Sequence, residues 1–234
     1  MSGGRRWVVL LAALLGVALT ARLGLWQLDR AAQKIALQEA IAAQGRQAPL
    51  LAAELRGDAS QLHRSVRLRG QWQADKTVFL DNRPMAGRVG FYVVTPLLLE
   101  GRAEAILVQR GWLPRDARER ERLPPLASAA GLVEIQGRLI EAPSRLYQLG
   151  EPGQGRIRQN LASAAYAQEI HQALLPLTVL QQDPSSEGGL LRDWPVPDTG
   201  LQKHYGYAFQ WFALAALILG LYVWFQLVRP RLRR

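Results

Sequence analysis

Two long apolar runs, one near each end of the chain, dominate its hydrophobic pattern. The first, Trp7 to Leu28 (WVVLLAALLGVALTARLGLWQL), measures roughly 33 Å at helical rise, about one bilayer hydrocarbon core. The second, Tyr205 to Val228, is as long and carries no charged side chain. Each predicts a membrane-spanning helix over residues 7–28 and 204–228. Past Leu28 the pattern turns amphipathic, with Leu28, Ile35 and Ala42 seven apart, Ala31 and Ala32 between them, and Arg30, Lys34 and Glu39 on another side. The first helix is therefore expected to continue to about residue 44, where Gly45 and Pro49 end it.

From Arg64 the period drops to two. Val66, Leu68, Gly70 and Trp72 point one way and Ser65, Arg67, Arg69 and Gln71 the other, which predicts a half-buried strand. KTVFLDN and VGFYVVTPLLL follow, separated by the turn RPMAGR, and then EAILVQRGWL. The unbroken apolar run through Val94 predicts a strand covered on both faces. Residues 114–131, charged and punctuated by proline, read as a solvent-exposed loop. Alternation resumes at Val133, Ile135, Gly137 and Leu139, where VEIQG echoes the earlier VRLRG. A short helix from Leu161 to Ala173, capped by Asn160, precedes a last strand, LLPLTVLQQ, and residues 182–202, with Pro184, Pro195 and Pro197, read as a linker. The fold class is thus a membrane protein of α+β type: two transmembrane helices flank a mainly antiparallel β-sheet or barrel-like extracytoplasmic domain with a short helix.

Charge sets the expected topology. Arg5 and Arg6 precede the first span, and Arg229, Arg231, Arg233 and Arg234 follow the second. The positive-inside rule then makes residues 1–6 and 229–234 cytoplasmic tails and residues 29–203 extracytoplasmic. Of 29 basic residues, seven lie outside 29–203, and all 19 acidic residues lie inside, so the net charge of +10 falls to 22 − 19 = +3 for the exported part. No basic stripe with stacking aromatics stands on it, so no nucleic-acid partner is expected. A signal-peptidase site is poor, with Leu19 in place of a small residue before Ala21, and no Arg-rich amphipathic leader is present. An uncleaved anchor in a bacterial inner membrane, with the central domain periplasmic, is the expectation.

The chain has no cysteine, and Met1 and Met85 are its only methionines. That excludes disulfides, thiolate metal sites, cysteine-linked haem and a methionine-rich copper site. His63, His171 and His204 remain. Asp58, Ser60, His63 and Ser65 in GDASQLHRS are common polar residues in a loop, and local spacing makes no triad. GEPGQGR lacks the Lys-Ser/Thr of a phosphate loop, and His171 reads as a surface residue late in a helix. No enzymatic activity is expected.

The two outer membrane edges carry the remaining chemistry. RLGLWQLDR places Arg22, Trp26, Gln27 and Arg30 at the end of the first span, and KHYGYAFQWF opens the second. At helical spacing His204, Tyr207 and Trp211 share a face, with Ala208 small beside them and Gln210 nearby. Aromatic residues belong at the interface and arginines reach the headgroups of the lipid bilayer. On spacing alone, His204 is either an interfacial hydrogen-bonding residue or a metal ligand, since a neutral imidazole can be both.

Four ordered blocks add to this: LGLWQLDRAAQK, LDNRPMAGRVGFYVVTPLLL, ILVQRGWLPRD and KHYGYAFQWFALA. In that order the chain resembles the Surfeit locus protein 1 family of cytochrome oxidase assembly factors. The resemblance implies an inner-membrane protein that handles haem a for the oxidase catalytic subunit, with the haem a synthesis machinery as a further partner. It implies His204 as ligand to the haem iron; around that ligand the residues read above are expected to place Tyr207 and Trp211 lining the site, with Trp26 and Gln27 closing it from the first helix. Beside such a site Arg22 or Arg30 is expected to meet membrane headgroups in preference to haem propionates. The alternative the resemblance leaves is a membrane-anchored scaffold that holds oxidase subunits without touching haem.

Overall fold

A computed structural model describes residues 3–116, 118–119, 121–147, 153, 155–184, 187–195 and 200–232. The chain divides into two compact units, Met1–Ala40 with Val196–Arg234, and Ile41–Pro195. Helix α1 (Gly3–Gly45) is unbroken. It is rich in Ala and Leu and free of proline, and it stops at Gly45, whose carbonyl accepts a 2.8 Å hydrogen bond from the Ser65 hydroxyl.

Seven strands follow. They are β1 (Ser65–Trp72), β2 (Val78–Met85), β3 (Arg88–Leu99), β4 (Ala105–Pro114), β5 (Leu132–Ile140), β6 (Ile157–Arg158) and β7 (Leu174–Gln181), with α2 (Ser163–Glu169) before the last. Their order is β1-β5-β7-β4-β3-β2-β6, and β1 also pairs with β3. The extra pairing closes a ring of β1, β5, β7, β4 and β3. One edge of β3 makes this possible: Arg88–Val94 pair with β2, while Leu97–Leu99 pair with β1. Pairing is antiparallel except for β4 with β7 and β2 with β6. The barrel interior is apolar, with Val66, Leu68, Leu97, Ile106, Ile135 and Val179 all buried.

The echo between VRLRG and VEIQG has a structural cause. The two pentapeptides pair with each other, Val66 opposite Gly137, Leu68 opposite Ile135 and Gly70 opposite Val133. Both glycines sit where a neighbouring strand comes too close for a side chain. A Cβ on Gly70 would lie 2.3 Å from the Leu98 carbonyl oxygen, and one on Gly137 2.5 Å from that of Leu180. Inward-facing glycines of this kind let barrel strands bend and approach at corners.

Outside the ring, β2 and β3 carry two further apolar faces. Tyr166 of α2 and Leu161 cover Val78, Leu80 and Val94. Leu123, Leu126 and Leu190 cover Phe79, Phe91 and Leu113, and the two phenylalanine rings meet edge to face at 6.0 Å.

Several sequence expectations change here. The turn between β2 and β3 is only Ala86 and Gly87, both at positive φ (49° and 73°), because β2 runs on to Met85. Asn160 does not cap α2; its carboxamide bonds both backbone groups of Leu146, and the helix starts later, at Ser163, and ends sooner, at Glu169. The loop after β4 is not wholly exposed, since Leu123 and Leu126 pack down and Ser128 accepts a 2.7 Å bond from buried Arg110. Nor is the stretch after β7 a free linker. Leu190 is buried, Leu191 pairs with Trp112, Arg192 bonds Asp183, and Trp194 packs on Tyr92 at 5.3 Å.

The other unit pairs α1 with α3 (Leu201–Val223). Both are long and apolar enough to cross a membrane. After α3 the helix widens to a π turn at Trp224–Val228, then continues as α4 (Arg229–Leu232); Pro230 offers no N–H to the carbonyl of Gln226. Small residues line the contact. Thr20, Gly24 and Ala31 of α1 and Ala208 and Ala215 of α3 are buried, while Leu15 and Phe209 are about 70 % and 74 % exposed. Small residues inside and large apolar ones outside is the packing of helices in lipid. Gly24 is the tightest point, where a Cβ would lie 2.8 Å from the Phe212 ring. Gly24→Leu is expected to destabilise the helix pair by about 1–3 kcal/mol, read as a lower thermal midpoint in detergent, with Phe212→Ala restoring it. An unchanged midpoint would show that this contact does not hold the pair.

Candidate functional site

The site grows from that close approach. Three residues past Gly24, Gln27 lies at the helix contact, and α3 begins at Leu201 after Gly200 in the left-handed region (φ 61°). The Gly200 carbonyl accepts from the backbone N–H groups of Lys203 and His204, which fixes His204 in the first turn. Its Nδ1 lies 2.7 Å from Oε1 of Gln27. A carboxamide oxygen only accepts, so with Gln27 in this orientation a neutral imidazole would carry its proton on Nδ1 and leave the Nε2 lone pair free. That is the arrangement of a histidine prepared to bind through Nε2, with its other nitrogen oriented by a neighbour.

Beside this pair is a cavity of about 370 Å³ lined by Trp26, Gln27, Lys34, Gly200, Lys203, His204 and Tyr207. Pockets for small ligands run from about 300 to 1,000 Å³. Trp26 and Tyr207 are about half exposed, at 49 % and 53 %, and give it two aromatic walls. Arg30 stacks over Trp26 at 5.7 Å and donates to Gln33. A second cavity, about 510 Å³, runs along α1 past Arg22, Leu23, Leu25, Trp26 and Asp29.

The structure therefore brings His204, Tyr207, Trp26 and Gln27 around one cavity. Trp211, partly buried one turn further along α3, is not among its lining residues. Ala208 is buried, 2 % exposed, and is not among the lining residues. Lys34 and Gly200 were not anticipated as lining residues. Lys34 was readable as the polar side of an amphipathic helix, and its position eight residues after Trp26 was the signal that both share a stripe.

The remaining polar motifs disperse. Asp58 caps a 3-10 turn, accepting from the Ser60 N–H at 2.9 Å and from the Ser60 hydroxyl, which holds its carboxyl below the usual range. Ser65 is bonded to Gly45, and His63 Nδ1 is buried with no hydrogen-bond partner among the described residues. Desolvation, then the charge of Arg138, lowers the His63 pKa. His171 closes α2 at positive φ (51°). GEPGQGR lies largely outside the described residues. Two blocks quoted from the sequence meet in the barrel unit: Trp112 of β4 donates its indole N–H to the Arg83 carbonyl at 2.8 Å, under Arg88 at 5.4 Å.

No curated protein matches the chain. Compared with models of known families, it matches the SURF1 family over residues 14–216, a span that contains every lining residue of the His204 cavity.

Proposed function

Since this chain belongs to the SURF1 family, we propose that it is a non-enzymatic assembly factor for haem-copper oxidase that holds haem a on its way to the catalytic subunit. The family as a whole is associated with oxidase assembly. The reading puts the protein in a bacterial inner membrane, with both termini cytoplasmic and the barrel unit periplasmic, as the flanking arginines suggest. Its partners are the oxidase catalytic subunit, the lipid bilayer and the machinery that makes haem a.

The observation that carries the proposal is the Gln27–His204 hydrogen bond beside an aromatic-walled cavity. Haem a supplies an iron that accepts an imidazole nitrogen as an axial ligand. His204 would hold it through Nε2, and Gln27 keeps the ring turned and the proton on Nδ1. Trp26 and Tyr207 offer flat apolar surface, with Trp211 as a more distant neighbour on the same helix. One protein ligand rather than two suits a carrier that must let go.

The test is the absorption spectrum of full-length protein purified in mild detergent from cells that make haem a. Wild type is expected to carry haem, His204→Ala to lose it, and Gln27→Leu to bind about tenfold more weakly, the usual cost of losing the group that orients a metal-binding histidine. A folded wild type without haem, or equal haem in His204→Ala, would overturn the assignment. Normal oxidase assembly by a haem-free His204→Ala chain would instead favour a scaffold that works through its barrel.

A further inference from the structure

The second cavity, along α1, lies on the face turned away from α3. Arg22 stands two residues from both Thr20 and Gly24, and Asp29 two from Ala31, about 200° round the helix from these buried contact residues. Arg22, Leu25, Trp26 and Asp29 follow the spacing of a single helical stripe, and all four are exposed. Arg22 is the one charged residue in the Trp7–Leu28 run, roughly 9 Å short of its end, whereas Asp29 is the first residue past that end. The Arg22 side chain makes no hydrogen bond or ion pair among the described residues, and Asp29 accepts from Gln33 at 2.7 Å. Arg30 is not in the lining; it lies over the Trp26 ring and donates to Gln33. A charge on the lipid-facing side of a spanning helix is costly without a counter-charge, and Arg22 has none among the described residues.

We infer that this cavity holds the headgroup of a phospholipid that ends in a primary ammonium, a phosphoethanolamine lipid. The order of charge along the stripe is that of such a headgroup, cation on the apolar side and anion on the aqueous side, to meet phosphate and ammonium in turn. The long stem of Arg22 carries its guanidinium to headgroup level, where the planar fork pairs with phosphate oxygens. The ammonium donates to the Asp29 carboxylate. Trp26 sits between them at the interface, and Leu23 and Leu25 meet the start of the acyl chains. Arg22 and Asp29 are about 10 Å apart along the axis. A headgroup of a few ångströms, with a hydrogen bond of about 3 Å at each end, covers that interval. A glycerol headgroup brings net negative charge and no cation to Asp29, and a choline headgroup brings a cation with no N–H to donate. The inference does not depend on haem, since Trp26 alone lines both this cavity and that of His204.

The experiment titrates delipidated full-length protein in mild detergent with phosphatidylethanolamine, phosphatidylcholine and phosphatidylglycerol of identical acyl chains, and counts bound lipid by native mass spectrometry. Wild type is expected to bind the ethanolamine lipid about threefold more tightly than either of the others, the scale of one exposed charge pair. Asp29→Asn should erase that preference and leave the other two lipids bound no more weakly. Arg22→Gln should weaken all three about tenfold, the scale of a hydrogen bond to a charged group, because all three carry the phosphate. Arg22→Lys should recover part of the loss. Equal binding of the three lipids by wild type, tightest binding of the glycerol lipid, or a preference that survives Asp29→Asn would overturn the headgroup assignment. Undiminished binding by Arg22→Gln would overturn the phosphate contact and the site with it. Both residues are exposed and turned away from the helix contact, so the variants keep the fold, checked by an unchanged thermal midpoint.

Discussion

Gly70→Ala is expected to cost the barrel at least about 3 kcal/mol, and Gly70→Val to prevent its closure, although neither change introduces a polar group. The reason is geometric. Gly70 stands on the seam that closes the ring, opposite Leu99 of β3, with Gln71 opposite Leu98 and Trp72 opposite Leu97. A methyl group there would lie 2.3 Å from the Leu98 carbonyl oxygen and 2.9 Å from Leu97 Cγ. A flexible side chain could yield, but a backbone carbonyl in a ladder cannot move without breaking the pairing. Overpacking a well-filled core usually costs 1–3 kcal/mol, and a clash with fixed backbone belongs at or above the top of that range. Against a total stability of about 5–15 kcal/mol, that is a large fraction. Denaturant unfolding of the full-length protein, followed by tryptophan fluorescence with Trp72 beside the seam, would measure it. Gly153→Ala, whose added Cβ would meet nothing within 4 Å, is the control and should change stability by no more than about 0.5 kcal/mol. Should Gly70→Ala unfold at the wild-type midpoint, β1 and β3 are not held as closely as the ring requires.

The same residue shows what could and could not be read from the sequence. Gly70 and Gly137 fell on the inward side of two alternating runs, and their inward orientation was legible because a period of two fixes the face. Their mutual pairing was only an echo between two pentapeptides, since nothing local says which strands meet. The parallel pairing of β4 with β7 and the short β6 were beyond reach for the same reason: both are tertiary choices, and a strand of two residues has no period to detect. The split edge of β3 is a further case. Its unbroken apolar run revealed burial on both faces but not that one edge serves two partners. Leu190 and Trp194 were hidden by the prolines around them, which suggest a linker whether or not the apolar residues between them dock.

For the candidate site, residue types were legible and distances were not. The histidine, its tyrosine and the facing Trp-Gln pair stood out as polar groups at the edges of apolar helices, where each costs free energy unless it has a partner. That Gln27 is the partner of His204 depends on how closely the helices approach. Gly24 permits that approach, but a lone glycine in an apolar helix carries no direction. Trp211 was grouped with the histidine because seven residues make nearly two turns; the cavity is shorter than that stripe and ends at Tyr207.

Arg83→Ala is expected to cost about 3 kcal/mol and Arg83→Met about 1 kcal/mol, an order that separates packing from charge. Arg83 is 1 % exposed on β2, next to Asn82, which takes positive φ (62°) where the β2–β3 register slips. Its guanidinium reaches out of the strand to the segment before α2, donating to the Gln159 carbonyl at 2.7 Å and more loosely to Ser144 Oγ at 3.4 Å, and lies 5.6 Å from the Tyr92 ring centre. Nε is buried with no acceptor among the described residues. Burial pushes the guanidinium pKa down, while Tyr92 and the Asp81 carboxylate act the other way. Holding the charge here is therefore expensive, and removing it recovers part of the loss. Methionine keeps most of the volume and forfeits the hydrogen bonds, leaving the Gln159 carbonyl unsatisfied at about 1 kcal/mol. Alanine forfeits both and opens a cavity between β2, Tyr92 and the segment carrying Gln159, which adds about 2 kcal/mol. The Trp112 bond to the Arg83 backbone survives either change, so the fluorescence of that buried indole reports the same native state in all three proteins. Equal destabilisation by alanine and methionine would mean that the hydrogen bonds, and not the filled volume, are what Arg83 contributes.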